Sequence, residues 1–395
     1  MRSSILKFSL IGFIFKETFC QNPTFLDTIL LEPFHQLRRS VMNLEIRDEN
    51  KHRYQRQILE PFPCSLKNAR SKHIPKSVHK LRPGDIDIIG ALGDSITAGF
   101  GITATNLLNL VAENRGMVYS IGGQENWRKI LTLPNILKLY NPNLFGYSLG
   151  PSLSIDRASQ FNPAENGAVS DNLPYMAKVL IKRIKKDPRT DLQNHWKFIS
   201  IMIGANDFCS SICFYKNPEN AVQKHQEDLL ISLRLLRDNL PKTFVSVITP
   251  PDVSQLANFT NSPSQCELTQ RIFCPCFVGV RFKNRKDEFQ KLIKKFQKIG
   301  EKLAGYDEFN RDDFTVVVQP LFEESKIPIG SDGFTDRDYF SVDCFHFSQI
   351  THSEAAKALW NNILEPINKK NPNFLARSLR CPTEEHPFLA TSRNS

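Results

Sequence analysis

The sequence predicts an α/β protein of three α/β/α layers, in which helices cover both faces of a mostly parallel, five-stranded sheet. Short runs of apolar and β-branched residues alternate with helical patterns along the chain, which is typical of parallel sheets. The first run leads directly into Gly93-Asp94-Ser95, as expected where a strand delivers a polar side chain to the carboxyl edge of such a sheet. The five predicted strands are residues 86–91, 117–121, 198–204, 243–249 and 314–320.

Helical periodicity is clearest in three segments. Residues 222–240 carry leucines at helical spacing and are followed by Pro241, which stops a helix. Residues 353–364 keep their apolar side chains on one side and are predicted to form the last helix. Residues 283–302 place an apolar stripe opposite a face of lysines. We interpret this segment as a surface helix with its apolar face in the core, and contact with lipid is the alternative.

Length and composition indicate a globular protein. The 395 residues, 41% of them hydrophobic, can form one large or two ordinary domains. The formal net charge of +10 favours contact with anionic surfaces. Basic residues are spread along the chain rather than collected in blocks with interleaved aromatic residues. We therefore predict no nucleic-acid interface.

The N-terminal region is predicted to contain a secretory signal and a helical extension. Basic residues and the apolar stretch 8–15 make residues 1–20 resemble a signal peptide more than a transmembrane helix. The alternative is an amphipathic helix that stays on the protein. Residues 21–64 form the extension, because 25–60 alternates apolar and charged residues at roughly helical spacing. Its role as a propeptide, a lid or a packed extension stays open.

The cysteine content also indicates export. Cleavage near Cys20 leaves eight cysteines, an even number that predicts disulfide bonds in a secreted protein. Two closely spaced pairs, Cys209 with Cys213 and Cys274 with Cys276, could instead supply thiolate ligands to zinc. The spacings do not form the paired Cys-x-x-Cys set of a zinc site, so disulfide bonds are the favoured interpretation and no metal site is predicted.

The main domain is predicted over residues 65–370, and residues 371–395 form a tail rich in Pro, Arg and Asn. We expect the tail to pack back on the domain, and Cys381 could tie it there, for instance to Cys64. Asn258 begins the sequon Asn-Phe-Thr and is a glycosylation candidate. No apolar tail follows the domain, so the sequence predicts a secreted protein without a transmembrane anchor.

Polar residues that could act together follow the predicted strands. Ser95 is the candidate nucleophile, and Asn206 can offer its side-chain amide to an oxyanion. Gly167 lies in a polar loop and can present an unobstructed backbone N–H. Asp343 and His346 are three residues apart, a spacing that lets a carboxylate orient an imidazole. Taken singly, each of these patterns is more often a turn, a loop or a surface pair.

Other titratable residues near these motifs are assigned no chemistry. Asp94 and Asp207 are interpreted as structural carboxylates that bind loop N–H groups. His195, His225 and His352 are interpreted as surface or helix-start residues.

The joint order of the motifs resembles that of the GDSL, or SGNH-type, hydrolase superfamily. Its four blocks correspond to Gly93-Asp94-Ser95, Gly167, Gly204-Ala205-Asn206-Asp207 and Asp343-Cys344-Phe345-His346. From about Cys64 to the C-terminus the chain also resembles the membrane-associated phospholipase B family. This likeness is carried by residues 62–64, 81–83, 120–123, 132–137, 343–348 and 359–362.

The resemblance implies a serine esterase that hydrolyses acyl esters of phospholipids and lysophospholipids, with phospholipase A and lysophospholipase activity, in peripheral contact with lipid interfaces. Ser95 would be the nucleophile, His346 the general base and Asp343 the residue that orients it. Ser95, Gly167 and Asn206 would form the oxyanion hole. No metal or organic cofactor is expected.

The sequence departs from this family in two respects. Mammalian members carry tandem hydrolase repeats and a C-terminal anchor, whereas one unit and no anchor are expected here. The first block also reads Gly-Asp-Ser-Ile, so that Ile96 replaces a leucine and keeps its apolar contact. Two alternatives stay open: a secreted carboxylesterase for short-chain or sugar acyl esters, and a catalytically silent lipid-binding protein.

Overall fold

A parallel sheet of four strands forms the centre of the computed structural model, which describes residues 36, 40, 52–375 and 378–395. The strands are β1 (Ile86–Gly93), β2 (Trp196–Met202), β3 (Thr243–Ile248) and β4 (Phe314–Gln319). They lie side by side in the order β1-β2-β3-β4, and every neighbouring pair is parallel. Their side chains are almost entirely buried, as expected of a sheet that is covered on both faces.

Helices cover both faces of this sheet. In the described ranges the α-helices are α1 (Ser95–Ala98), α2 (Leu133–Tyr140), α3 (Leu173–Lys186), α4 (Glu219–Asn239), α5 (Ser264–Phe273), α6 (Pro275–Val278), α7 (Lys286–Gln297), α8 (Ile299–Ala304) and α9 (Gln349–Leu364). One core joins α2 and α9 to the face that carries Phe198 and Phe244. A second core joins α3, α4 and α8 to the face that carries Ile199 and Val245. The predicted three-layer α/β/α fold is therefore confirmed.

The second predicted strand, residues 117–121, is wrong, and the sheet has four strands in the described residues rather than five. This apolar run follows a 3-10 turn, and Tyr119 and Ile121 pack in the core with α9 instead of pairing with β1. Single residues from other loops cover the edge of β1 that does not pair with β2. The N–H of Ile89 donates to the carbonyl of Phe145 at 3.0 Å, and an isolated parallel bridge forms there.

The predicted helices are present with shifted ends. Helix α4 begins three residues before the predicted segment 222–240, and α9 begins four residues before the predicted start at 353. The segment 283–302 contains two helices, α7 and α8, because the chain turns at Lys298. The apolar side of α7 is buried, and Lys298 forms ion pairs of 2.8 Å with Glu301 and Glu323. This segment is therefore a surface helix pair whose apolar face lies in the core.

The N-terminal predictions fall mostly outside the described residues. This holds for the signal peptide at 1–20 and for most of the extension at 21–64. Residues 52–60 are described, and beyond a short helical turn they are irregular, so the helical prediction is wrong for this part. The backbone N–H of Gln55 donates to Gln349 Oε1 at 2.6 Å. The segment is thus held against the start of α9 by tertiary contacts and not by its own helical bonds.

Four disulfide bonds connect loops and helices within the described ranges, which agrees with the predicted disulfide content. They join Cys64 to Cys381, Cys209 to Cys274, Cys213 to Cys276 and Cys266 to Cys344. The first is the pair that the sequence suggested as a tie for the tail. The interpretation of the closely spaced cysteines as zinc thiolates is wrong, because their sulfurs are bonded to one another. Across the described ranges, no helix is both long and apolar enough to cross a bilayer.

Candidate active site

Ser95 lies at the carboxyl edge of the sheet, where β1 passes directly into α1. Asp94 caps this short helix, since its Oδ1 accepts the N–H of Ile96 at 3.0 Å. Gly93 is required at the junction, because a Cβ there would overlap Thr97 and the carbonyl of Met202. The tight turn leaves Ser95 only 4% exposed. The sequence motif therefore folds as a strand end followed by one capped helical turn.

Ser95, His346 and Asp343 are brought together as a chain of hydrogen-bonding partners. Ser95 Oγ lies 2.9 Å from His346 Nε2, and His346 Nδ1 lies 2.5 Å from Asp343 Oδ2. Asp343 Oδ1 accepts the backbone N–H groups of Phe345 and His346, both at 3.0 Å. Burial alone would raise the pKa of Asp343, but His346 and these N–H donors hold that pKa below its ordinary value. The carboxylate is thus kept ionised beside the imidazole.

Helix α5 holds the loop that carries Asp343 and His346. Thr269 Oγ1 donates to the carbonyl of Asp343 at 2.6 Å, and Gln270 Nε2 donates to the carbonyl of Cys344 at 2.8 Å. The disulfide from Cys266 to Cys344 joins the same two elements. Sequence reasoning did not identify this helix, because its contacts to the loop span more than 70 residues and follow no local motif.

Asn206 and Gly167 lie on loops beside Ser95. Asn206 lines the same pocket as Ser95, and its Nδ2 donates to the carbonyl of Ala168 at 3.0 Å. The loop that contains Gly167 is fixed to the sheet, since the N–H of Glu165 donates to the carbonyl of Gly93 at 3.3 Å. Gly167 has a φ of 74°, a conformation that favours glycine. Among the described residues, the backbone N–H groups of Ser95 and Gly167 have no hydrogen-bond acceptor.

A buried polar network supports this loop from behind. Asp207 accepts the N–H of Ser170 at 3.1 and 3.2 Å, which agrees with its interpretation as a structural carboxylate. Ser170 Oγ lies 2.8 Å from His225 Nδ1. Burial raises the pKa of Asp207 to about 7 and lowers that of His225 to about 3. At neutral pH His225 is thus uncharged, and Asp207 is shared between its protonated and ionised forms.

Two of the three histidines that the sequence assigns to the surface or to helix starts are buried, although His352 does lie in the first turn of α9. His225 is buried and stacks on Phe296 with ring centroids 3.6 Å apart. His352 is buried within α9, and the N–H of Tyr119 donates to its Nδ1 at 3.3 Å. His195 is half-buried just before β2. No local spacing signals these positions, because each histidine is buried by residues distant in sequence.

Asp94 contributes one further buried carboxyl group. Its Oδ1 caps α1, whereas its Oδ2 has no hydrogen-bond partner among the described residues. Burial raises the pKa of Asp94 to about 6, against the opposing effects of the Ile96 N–H and His346. The bond from Asp94 to the Ile96 N–H is structural, which agrees with the interpretation of Asp94 as a carboxylate that binds loop N–H groups.

A largely apolar pocket of about 770 Å³, measured with its open mouth, leads to Ser95. The aromatic residues that line it are Phe322, Tyr339, Phe340, Phe345, Phe347 and Phe374. Lys326 is the one cationic side chain among the described lining residues, and it is exposed. Sequence reasoning missed this lining, for which the only signal is the abundance of phenylalanine, 29 residues in all.

A serine, a histidine and an aspartate in hydrogen-bonding series at the carboxyl edge of a parallel sheet are the arrangement of a serine-dependent hydrolase. Residues 89–359 match the model of the GDSL-like lipase/acylhydrolase family, and the chain belongs to that family. The resemblance inferred from the motifs is thereby confirmed, and the family is one of ester-hydrolysing enzymes.

Three relatives named "Phospholipase B1, membrane-associated" are similar to this chain. The Mus musculus protein is 38% identical over 346 residues. The Rattus norvegicus and Homo sapiens proteins are each 36% identical, over 345 and 341 residues. Each alignment covers 85% of this chain and 23% of the relative. The chain therefore spans less than a quarter of the length of these relatives.

Proposed function

We propose that the protein removes acyl chains from phospholipids and lysophospholipids by serine-dependent hydrolysis. The observation that carries this proposal is the series Ser95, His346 and Asp343, with contacts of 2.9 and 2.5 Å, in which Ser95 lines an apolar pocket. An acyl chain in the pocket would bring its ester carbonyl to Ser95. Catalysis of this kind needs no group beyond the side chains, the backbone N–H groups and water.

The reaction proceeds through an acyl-enzyme. Ser95 Oγ attacks the ester carbonyl while His346 takes its proton, and the C–O bond to the alcohol breaks as His346 returns that proton to the leaving oxygen. Water then attacks the acyl-enzyme with His346 again as base, which releases the fatty acid and restores the serine hydroxyl. Asp343 stabilises the imidazolium that forms in each half-reaction.

Three donors would stabilise the oxyanion. They are the N–H groups of Ser95 and Gly167 and the side-chain amide of Asn206, each of the kind whose removal lowers kcat by roughly 10²–10³-fold. Asn206 donates to Ala168 in the absence of substrate, and an ester oxygen at this point would replace or share that bond. The free N–H groups of Ser95 and Gly167 are available to it without rearrangement.

The lining of the pocket supports a lipid substrate. Aromatic side chains provide an apolar surface for an acyl chain, and Lys326 offers a positive charge to the phosphate of a headgroup. The relatives named for phospholipase B activity point to the same substrate class. A substrate in an interface also suits a chain of net charge +10.

We further propose that the enzyme acts outside the cell. Four disulfide bonds are typical of proteins matured in an oxidising compartment. Asn258 is exposed and therefore accessible for the predicted glycosylation. Secretion of the full-length chain from cultured cells, with a mass shift on glycosidase treatment that Asn258→Gln abolishes, tests both points.

The catalytic proposal is tested by the release of fatty acid and glycerophosphocholine from vesicles of phosphatidylcholine and of lysophosphatidylcholine. The wild type should hydrolyse both lipids, Ser95→Ala should lose at least 10³-fold in rate, and Ser65→Ala, at an exposed serine that does not line the pocket, should keep full activity. Retained activity in Ser95→Ala contradicts the mechanism. Hydrolysis of only a short-chain p-nitrophenyl ester keeps the mechanism and rejects the lipid substrate.

A further inference from the structure

One wall of the pocket comes from a segment beyond the matched family domain. The family match ends at residue 359, whereas Phe374 lines the pocket and is only 5% exposed. Phe374 therefore adds an aromatic surface that the matched residues 89–359 do not themselves supply.

The segment around Phe374 is fixed by bonds on both sides. The N–H of Phe374 donates to Ser325 Oγ at 3.2 Å, and the N–H of Glu324 donates to the carbonyl of Pro372 at 3.1 Å. Asn362 of α9 exchanges two hydrogen bonds of 2.9 Å with Asn371. The loop after β4 and the last helix thus hold the backbone of this segment, and with it the position of the Phe374 ring.

Phe374 lies in the part of the lining that is separate from the triad. Its ring contacts those of Phe322 and Tyr339, with centroids 5.9 and 6.3 Å away. The rings that contact His346 are different ones, those of Phe100, Phe273 and Phe345. A change at Phe374 therefore alters the apolar lining without removing a contact to the reacting groups.

We propose that Phe374 sets the length of acyl chain that the enzyme prefers. The inference rests on the proposed function, since it assigns the apolar lining to the acyl chain of the substrate. Each methylene of an acyl chain that the pocket buries changes the affinity for that chain by about fourfold. The space taken by one aromatic ring therefore decides whether several methylenes of a long chain are buried or left in water. Phe374 would act by limiting that space.

The experiment compares kcat/KM for palmitoyl and octanoyl lysophosphatidylcholine, each supplied below its micelle concentration. Phe374→Ala should raise the palmitoyl-to-octanoyl ratio at least fivefold, and Phe374→Trp should lower it. Phe309→Ala is the matched control, because this buried phenylalanine belongs to the other core. It should lower the melting temperature and leave the ratio within twofold of the wild type.

Binding of C8 and C16 fatty acids to protein that also carries Ser95→Ala gives a readout without catalysis. A changed affinity ratio in the Phe374 variants supports the inference even if the wild type hydrolyses no lipid, in which case only the proposed function fails. An unchanged ratio in both assays for Phe374→Trp and Phe374→Leu overturns it. These two variants keep a large apolar side chain and serve where Phe374→Ala does not fold.

Discussion

Two buried aspartates at the edge of the sheet have pKa values shifted in opposite directions. Asp343 has its pKa lowered because His346 and two backbone N–H groups outweigh the effect of burial. Asp207 has no cation in contact within the described part of the chain, and burial raises its pKa to about 7 although it accepts the N–H of Ser170. Asp343 therefore stabilises the fold as an anion, whereas Asp207 stabilises it as a neutral acid.

Asp207→Asn should make the stability of the protein less dependent on pH. The folded pKa of Asp207 lies above its ordinary 3.8, so its contribution to stability is complete below pH 3.8 and is lost as the pH rises to about 7. Asparagine removes this loss, on the order of a few kcal/mol, and its carbonyl can still accept the N–H of Ser170. Urea unfolding between pH 4 and pH 7.5 measures the effect.

Asp94 does not disturb the comparison between the wild type and Asp207→Asn. Its pKa is also raised, to about 6, and it contributes equally to both proteins. The difference in unfolding free energy, variant minus wild type, should rise with pH across this range. A difference that is constant with pH would mean that Asp207 is ionised in the folded protein throughout.

The network behind the proposed oxyanion donors predicts an effect of Ser170 on catalysis. Ser170 is bonded to both Asp207 and His225 and follows the loop of Gly167 by three residues. Ser170→Ala removes the contact to His225 and should lower kcat about tenfold with little change in KM, because the donors act on the transition state. Ser232→Ala is the control, since its buried hydroxyl bonds within α4. A change in KM alone would contradict the positioning role.

The sequence marks the proposed catalytic residues and misses their supports for one physical reason. Ser95 follows a strand end, and Asp343 precedes His346 by three residues, so a local pattern marks them. Ser170 and His225 meet across 55 residues, and that contact exists only after α3 and α4 pack together. Burial of this kind leaves no periodic signal in the chain.

At the scale of secondary structure, β1 to β4 could be predicted because each strand is a short apolar run buried on both faces. Residues 117–121 are equally apolar and still form no strand, since the core with α9 takes up their side chains. On the edge of β1 that faces away from β2, Phe145 pairs with the strand through a single bridge. An apolar run therefore predicts burial reliably. It predicts strand pairing only when no other segment of the chain occupies the edge of the neighbouring strand.

Helix α5 should affect catalysis although it contains none of the proposed catalytic residues. Thr269→Val keeps the shape of the side chain but removes the bond to the carbonyl of Asp343, which leaves a buried acceptor unsatisfied at a cost of about 1–3 kcal/mol. We expect a fall in kcat of about tenfold, because the acid loop loses its fixed position beside Ser95.

Thr243→Val is the matched control for this change. Thr243 is also buried and donates to a backbone carbonyl, that of Leu240, at the opposite end of the sheet. It should lower the unfolding free energy by a similar amount and leave kcat unchanged. Equal losses of kcat in both variants would show that stability, rather than the position of Asp343, explains the effect.

At the scale of the whole molecule, the pocket is assembled from regions that are far apart in the chain. Ser95 follows β1, Asn206 follows β2, Lys326 follows β4 and Phe374 comes after α9. The topology explains why the first two could be expected together, since parallel strands end at one edge. Nothing in the sequence indicates that the tail returns to the same pocket, because tertiary contacts alone bring it there.

Removal of the disulfide between Cys64 and Cys381 should destabilise the protein strongly. The two cysteines are separated by 317 residues, so the bond restricts a long loop of the unfolded chain, and Cys64→Ser with Cys381→Ser should lower the unfolding free energy by about 2–5 kcal/mol. Cys213→Ser with Cys276→Ser is the comparison. Cys209–Cys274 already closes nearly the same loop, so this second double variant should lose clearly less in urea unfolding. A larger loss there would mean that native packing, and not chain entropy, sets the contribution of these bonds.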